Sequence, residues 1–118
     1  MKKIITFILF LMTCITMDAQ KISYINESGG YYTVYNENNS KMFSVSDGQG
    51  ELVGYSDNYY ILQQNGYYKI YNSKNQKVCT LSVQSIGEIV RVNSNNFVAR
   101  KPGWTITYDM NGRVISKR

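Results

Sequence analysis

The sequence predicts an all-β fold built from an internal repeat. Residues 30–36 (GYYTVYN), 66–72 (GYYKIYN) and 103–109 (GWTITYD) share one pattern: Gly, an aromatic residue, three residues, Tyr, then Asn or Asp. The glycines that open these segments lie 36 and 37 residues apart. Short stretches rich in Tyr, Val, Ile and Thr run between Gly, Asn, Asp and Ser, and none keeps the helical period of about 3.6 residues.

Eleven short strands are predicted, forming an antiparallel meander of hairpins. In order, they cover residues 21–26, 31–35, 41–46, 51–55, 59–63, 67–72, 77–83, 88–92, 97–100, 104–108 and 113–116. Turns are expected at residues 29–30, 65–66, 102–103 and 111–112. Asn65-Gly66 is the strongest of these signals, because a two-residue type I′ turn needs positive φ at both positions. Residues 59–63 should therefore pair with residues 67–71.

The strands group into two and a half units of about 37 residues, each of four strands. The units cover residues 21–57, 58–94 and 95–118. Gly50-Glu51 and Gly87-Glu88 open the fourth strand of the first two units, 37 residues apart. Four short antiparallel strands in this length match one blade of a β-propeller.

The unit resembles the propeller-type β-repeats of bacterial secreted and cell-surface proteins. Residues 108–114 (YDMNGRV) are similar to the YD repeat of large secreted β-shell proteins. The first two units depart from that pattern, since Asn36 and Asn72 replace Asp and their turns lack Gly. The resemblance implies an exported β-shell or propeller architecture.

The number of units is too small for a closed propeller, which takes about four to eight blades. A flat open sheet of this size would leave long edges and two large faces uncovered. We therefore expect the sheet to curl as a small barrel or sandwich or to form a partial propeller, with an assembly of chains completing a ring as second choice. Both faces of the aromatic strands are apolar, which indicates that both are covered. Tyr67 and Tyr71 of the middle unit are expected in the core.

The first 19 residues are predicted to be a secretory signal peptide. Lys2 and Lys3 precede an apolar run, and Ala19 provides a small residue before the expected cleavage site. The rival interpretation is a lipoprotein signal with Cys14 as the lipidated residue, although Thr13 fits that motif poorly. Export predicts a periplasmic, cell-surface or extracellular location, and no further run could span a bilayer.

Cleavage after Ala19 leaves a single domain, residues 20–118. Cys79 is then the only cysteine, so no intrachain disulfide is expected. Its strand-like surroundings favour a buried thiol over a reactive one.

The sequence argues against most catalytic and cofactor chemistry. It contains no histidine, phosphate loop, dinucleotide fingerprint or zinc-type cysteine pair. An enzyme that uses Glu51 and Glu88 as a carboxylate pair is the third-ranked hypothesis, because repeat equivalence explains both residues more simply. Residues 47–51 (DGQGE) offer too few oxygen ligands for calcium and are expected to form a tight turn.

A binding function is the favoured interpretation, with a protein as partner and a cell-surface glycan as the alternative. Trp104, Tyr67 and Tyr31 would supply an aromatic binding surface, although the sequence favours their serving as core. The candidate ligand-binding residues are Trp104, Arg100, Lys101 and Arg113.

The charge distribution leaves two interpretations of the C-terminal part of the chain. Residues 91–118 carry six basic residues and one acidic one, which permits an anionic partner, although a solvated cationic edge is the favoured interpretation. Nucleic acid is not expected in an exported protein. No cofactor or metal is expected, and a homo-oligomer that completes the sheet is possible.

Export with removal of residues 1–19 is directly testable. Intact-mass measurement of the protein from its native envelope should give a chain that begins at Gln20. A mass that includes residues 1–19 contradicts this prediction, and a lipid adduct on Cys14 selects the lipoprotein alternative.

Overall fold

The computed structural model describes residues 21–118, which form three consecutive antiparallel sheets. Sheet 1 contains β1 (Ile22–Ser28), β2 (Tyr31–Asn36) and β3 (Lys41–Ser46). Sheet 2 contains β4 (Glu51–Tyr55), β5 (Tyr59–Gln64), β6 (Tyr67–Asn72) and β7 (Lys77–Ser82). Sheet 3 contains β8 (Glu88–Val92), β9 (Asn96–Lys101), β10 (Trp104–Asp109) and β11 (Val114–Lys117). The predicted signal peptide, its cleavage site and Cys14 lie outside the described residues.

The predicted all-β meander is confirmed. Every neighbouring pair of strands within a sheet is antiparallel and consecutive in the chain. The pairing predicted around Asn65-Gly66 is also confirmed, since β5 and β6 pair from Tyr59 opposite Asn72 to Gln64 opposite Tyr67. No sheet closes on itself, so the barrel form of the prediction is wrong. Within residues 21–118, no helix is long and apolar enough to cross a membrane.

The hydrogen-bonded sheets begin at a different point from the sequence units. The strands that follow Gly50 and Gly87, taken as the last of each unit, pair with the strands after them and so open sheets 2 and 3. Two short helical segments connect the sheets: a 3-10 turn at Asp47–Gln49, within the tight turn predicted at residues 47–51, and α1 at Val83–Ile86, which the sequence did not predict. Gly87 has φ 93°, and a Cβ there would lie 2.7 Å from the Arg100 carbonyl oxygen. Glycine is therefore needed where the chain enters sheet 3.

The Asn or Asp that ends each repeat segment organises the turn after it. Asn72 Oδ1 accepts hydrogen bonds from the backbone N–H groups of Lys74 and Gln76, both at 2.9 Å. Asn36 and Asp109 accept the equivalent pairs in sheets 1 and 3. A residue with positive φ follows three positions later in each turn: Asn39, Asn75 and Gly112. Asn replaces Asp without loss because either side chain supplies the accepting oxygen.

The sheets pack face to face in chain order. We call the front face of each sheet the one that carries its stacked aromatic pair, and the back face the opposite one. The pairs are Tyr24 with Tyr35, Tyr60 with Tyr71, and Phe97 with Tyr108, with ring centroids 4.7, 5.1 and 5.3 Å apart.

Each inner front face is buried against the back face of the preceding sheet. Tyr60 and Leu62 of sheet 2 pack with Tyr32, Val34 and Val45 of sheet 1. Phe97, Ala99, Ile106 and Tyr108 of sheet 3 pack with the opposite face of sheet 2, which contributes Tyr59, Ile61, Tyr68 and Ile70. Sheet 2 is thus covered on both faces, as the apolar character of its aromatic strand predicted.

Tyrosine hydroxyl groups fix how one sheet meets the next. Tyr32 Oη donates to the Gly50 carbonyl oxygen at 2.9 Å, and Tyr68 Oη donates to the Gly87 carbonyl oxygen at 2.8 Å. Tyr59 Oη donates to the Asn96 carbonyl oxygen at 2.6 Å, and burial raises the pKa of this hydroxyl. These rings combine apolar packing with a satisfied polar end, which a small core without a disulfide needs.

Replacing equivalent tyrosines at an inner and an outer front face tests this packing. Tyr60 is 2% exposed and Tyr24 is 37% exposed, yet each stacks on a second tyrosine and donates its hydroxyl to a turn asparagine. Tyr60→Ala should cost about 3 to 5 kcal/mol of unfolding free energy, and Tyr24→Ala about 1 kcal/mol. Urea denaturation followed by circular dichroism measures both. Equal losses of unfolding free energy would show that the front face of sheet 2 is no more buried than the front face of sheet 1.

Candidate binding surface

Three equivalent aromatic residues are exposed, each at the same end of its sheet. Tyr31, Tyr67 and Trp104 are the first residues of β2, β6 and β10, and 53%, 51% and 46% of their surfaces are exposed. We call these three residues the aromatic rim. The expectation that they serve as core is wrong, including the expectation for Tyr67 of the middle unit. Tyr71 is half-buried on Tyr60.

The rim is exposed because its cross-strand neighbours are short or polar. Tyr31 lies between Ser28 and Ser46, and Tyr67 lies between Gln64 and Ser82. None of these side chains can cover an aromatic ring. Two-residue turns precede all three rim residues, so each ring stands at the same end of its sheet. Packed sheets are about 10 Å apart, which gives a row about 20 Å long.

Two lysines accompany Trp104. Lys117 places its Nζ 4.1 Å from the centroid of the indole ring, a cation–π contact. Lys101 lies directly opposite Trp104 in the β9–β10 pair. Lys101 also lines a groove of about 540 Å³ between sheets 2 and 3, together with Gln63, Gln84 and Glu88 among others. The end of the rim at sheet 3 is therefore cationic.

The structure separates the candidate residues named from the sequence. Trp104 and Lys101 share the front face of sheet 3. Arg100 lies opposite Thr105 on the back face, but it lines the same groove as Lys101. Arg113 lies in the β10–β11 turn, at the far end of β10 from Trp104, about 17 Å away at the usual rise per residue. Lys117 was not named from the sequence, because its place beside Trp104 depends on strand register.

The carboxylates considered for catalysis are exposed and lie on different sheets. Glu51 begins β4 opposite Gln63, and Glu88 begins β8 opposite Arg100. Asp47 belongs to the 3-10 turn, where Ser46 Oγ accepts a hydrogen bond from Gly48 N at 3.2 Å. Among residues 21–118, no group of three or more His, Cys, Asp or Glu residues is placed to hold a metal ion.

Cys79 is half-buried on the back face of sheet 2. Its thiol donates to the Met110 carbonyl oxygen at 3.5 Å. Burial, and secondly the charge of Asp109, raise the pKa of this thiol, which disfavours the nucleophilic thiolate. The predicted role of Cys79 as a small apolar residue agrees with this position.

Comparison with protein-family models, with curated proteins and with solved structures finds no match to the chain. The resemblance of residues 108–114 to YD repeats stays a prediction.

The stability effect of a rim residue should differ from that of a core residue in the same sheet. Trp104→Ala should cost about 1 kcal/mol or less, because nearly half of the side chain is exposed and the cation–π contact is weak at a surface. Phe97→Ala should cost about 3 to 5 kcal/mol, since Phe97 is fully buried. Circular dichroism in a urea series measures both variants. A Trp104→Ala loss as large as that of Phe97→Ala would place the indole in the core.

Proposed function

We propose that this protein is a non-enzymatic binding module that docks a protein partner through the aromatic rim. The predicted signal peptide would place this activity outside the cytoplasm. The observation that carries the proposal is the repeated exposure of Tyr31, Tyr67 and Trp104 at one position of three successive sheets.

Exposure of these rings is not needed for folding. The same strands bury other aromatic residues, Tyr32, Tyr68 and Tyr108, to 6% exposure or less, so the fold already has its aromatic core. Tyr and Trp are the residues that most often contribute large binding energies at protein interfaces, because they bury large area with few rotatable bonds. A row about 20 Å long also suits an interface of ordinary size.

The charge around Trp104 supports an acidic partner surface. Lys101 and Lys117 flank the indole, and within residues 21–118 the one ion pair joins Lys21 to Asp57 at 3.7 Å. These lysines therefore have no carboxylate partner in the described part of the chain. Complementary charge at an interface edge speeds association and selects partners more than it adds affinity.

Glycan binding is the second candidate, favoured by the groove beside Lys101. Gln63, Gln84 and Glu88 line this groove and offer the amide and carboxylate groups that hydrogen-bond to sugar hydroxyls. Against it, the Lys117 ammonium already lies over the Trp104 ring, where a sugar ring would stack. The protein-binding proposal does not need a free indole face.

A pull-down with the mature domain as bait, from the native envelope, tests the proposal. The rim should retain a specific protein, and Trp104→Ala and Tyr67→Ala should each weaken its binding by roughly 30-fold, as truncation of a binding hot spot does. Tyr24→Ala is the matched control, because Tyr24 is an exposed tyrosine outside the rim.

Equal retention by the parent and both rim variants contradicts the proposal. A glycan array run in parallel identifies the second candidate. Saturable sugar binding that Trp104→Ala abolishes, without a retained protein, would replace the first.

A further inference from the structure

The back face of sheet 3 has no following sheet within residues 21–118, and its side chains differ from those of the inner back faces. One row across its four strands is Arg91, Val98, Thr107 and Ser116. The next row contains Thr105 opposite Arg118, whose backbone groups exchange hydrogen bonds at 2.8 and 2.9 Å. We call these six residues the terminal face.

The change from sheet 2 is systematic. At the repeat spacing of 37, the positions of Tyr68 and Ile70 are taken by Thr105 and Thr107, and those of Cys79 and Leu81 by Ser116 and Arg118. Arg91 takes the position of Gly54, where a Cβ would lie 2.7 Å from a Val92 methyl group. Val98 alone keeps the apolar character of its counterpart, Ile61.

Exposure of the back face of sheet 3 to solvent explains why its side chains are polar, but it does not explain which polar groups they carry. An end unit needs a polar outer face of either sign. The terminal face instead has two guanidinium groups and three hydroxyl groups, and no carboxylate or amide side chain. Glu88 and Arg100 complete the row of Thr105 and Arg118, on β8 and β9, and neither residue lines the pocket formed by the terminal face.

These six residues line a concave pocket of about 240 Å³. Guanidinium groups bind phosphate and sulfate oxygens in a two-point fork, and hydroxyl groups donate further hydrogen bonds. Arg91 stands on the outer strand β8 and Arg118 directly follows the other outer strand, β11, with Thr105 and Thr107 between them on β10. Donors on three strands can engage three or four oxygens, which a tetrahedral ion offers and a carboxylate does not.

We propose that the terminal face binds a tetrahedral oxyanion, namely a phosphate or sulfate group. This site is independent of the aromatic rim, because the rim residue Trp104 lies on the front face of the same sheet. The group comes either as a free inorganic ion or as an ester on a polysaccharide.

Nuclear magnetic resonance titration of the mature domain at constant ionic strength tests the proposal. The probes are inorganic phosphate and inorganic sulfate, with acetate and chloride as comparison anions. Phosphate or sulfate should cause saturable shifts of the Thr105, Thr107 and Ser116 amide signals, and acetate should not.

Variants decide whether the arginines bind the ion. Arg91→Ala and Arg118→Ala should each weaken binding by about tenfold, and Arg91→Lys should recover only part of it because the fork is lost. Arg113→Ala is the matched control, since it removes the same charge from the β10–β11 turn, outside the pocket. Circular dichroism confirms that each variant is folded. Thr107→Val provides a second test that leaves the charge unchanged.

The proposal is overturned if acetate gives the same response, if no anion gives saturable shifts, or if Arg113→Ala weakens binding as much as Arg91→Ala. A sulfated polysaccharide and its desulfated form then separate the two sources. Tighter binding of the sulfated polymer than of free sulfate identifies the ester, and equal affinity identifies the free ion.

Discussion

Burial of an aromatic pair against the back of the preceding sheet is the interaction on which this structure depends. Each sheet is too small to be stable alone, because a few short strands cannot bury both of their faces. Sheet 2 is buried on both faces. Tyr60 and Leu62 on its front pack against sheet 1, and Tyr59, Ile61 and Ile70 on its back pack against sheet 3. The hydroxyl groups of Tyr32, Tyr59 and Tyr68 then fix the spacing by bonding to backbone carbonyl oxygens across each junction.

Within residues 21–118, no sheet packs on the front of sheet 1 or on the back of sheet 3, and polar side chains take positions there that are apolar in sheet 2. Asn26 and Thr33 of sheet 1 occupy the front positions that Leu62 and Lys69 hold in sheet 2. Thr105 and Thr107 replace the apolar back positions in sheet 3. Both proposed binding sites lie on surfaces released from packing: the rim, where side chains project past the sheet edges, and the terminal face. The inner faces are occupied by the core.

Much of the fold could be predicted from the sequence because its signals are local. The turn at Asn65-Gly66 determines the register of β5 and β6, and the apolar side chains on both faces of β6 indicate that both are covered. The point at which each sheet begins could not be predicted, since it depends on whether the strand at Glu51 pairs backward or forward. Neighbouring strands have similar sequences, so the residues of one strand do not show which neighbour it pairs with. The helix α1 is too short to give a helical period.

The candidate residues differ in how far local sequence determines their positions. Arg100 and Lys101 are adjacent in one strand, so alternation alone places them on opposite faces of the sheet. Exposure of Tyr31, Tyr67 and Trp104 depends on small neighbours in adjacent strands, which requires the register. To predict the contact between Lys117 and Trp104, one would also need the register shift between Thr107 and Tyr108 in the β10–β11 pair.

The packing of one sheet's back against the next sheet's front gives the chain a direction and a unit of growth. Duplication of a segment such as residues 51–87 would add one sheet whose two faces already nearly fit their neighbours. It would also add one ring to the rim, so the row of exposed rings would lengthen in steps of one sheet while the two outer faces stayed unchanged. A family of such chains would differ in length by whole units, and the number of rings in the row would measure how many duplications each had undergone.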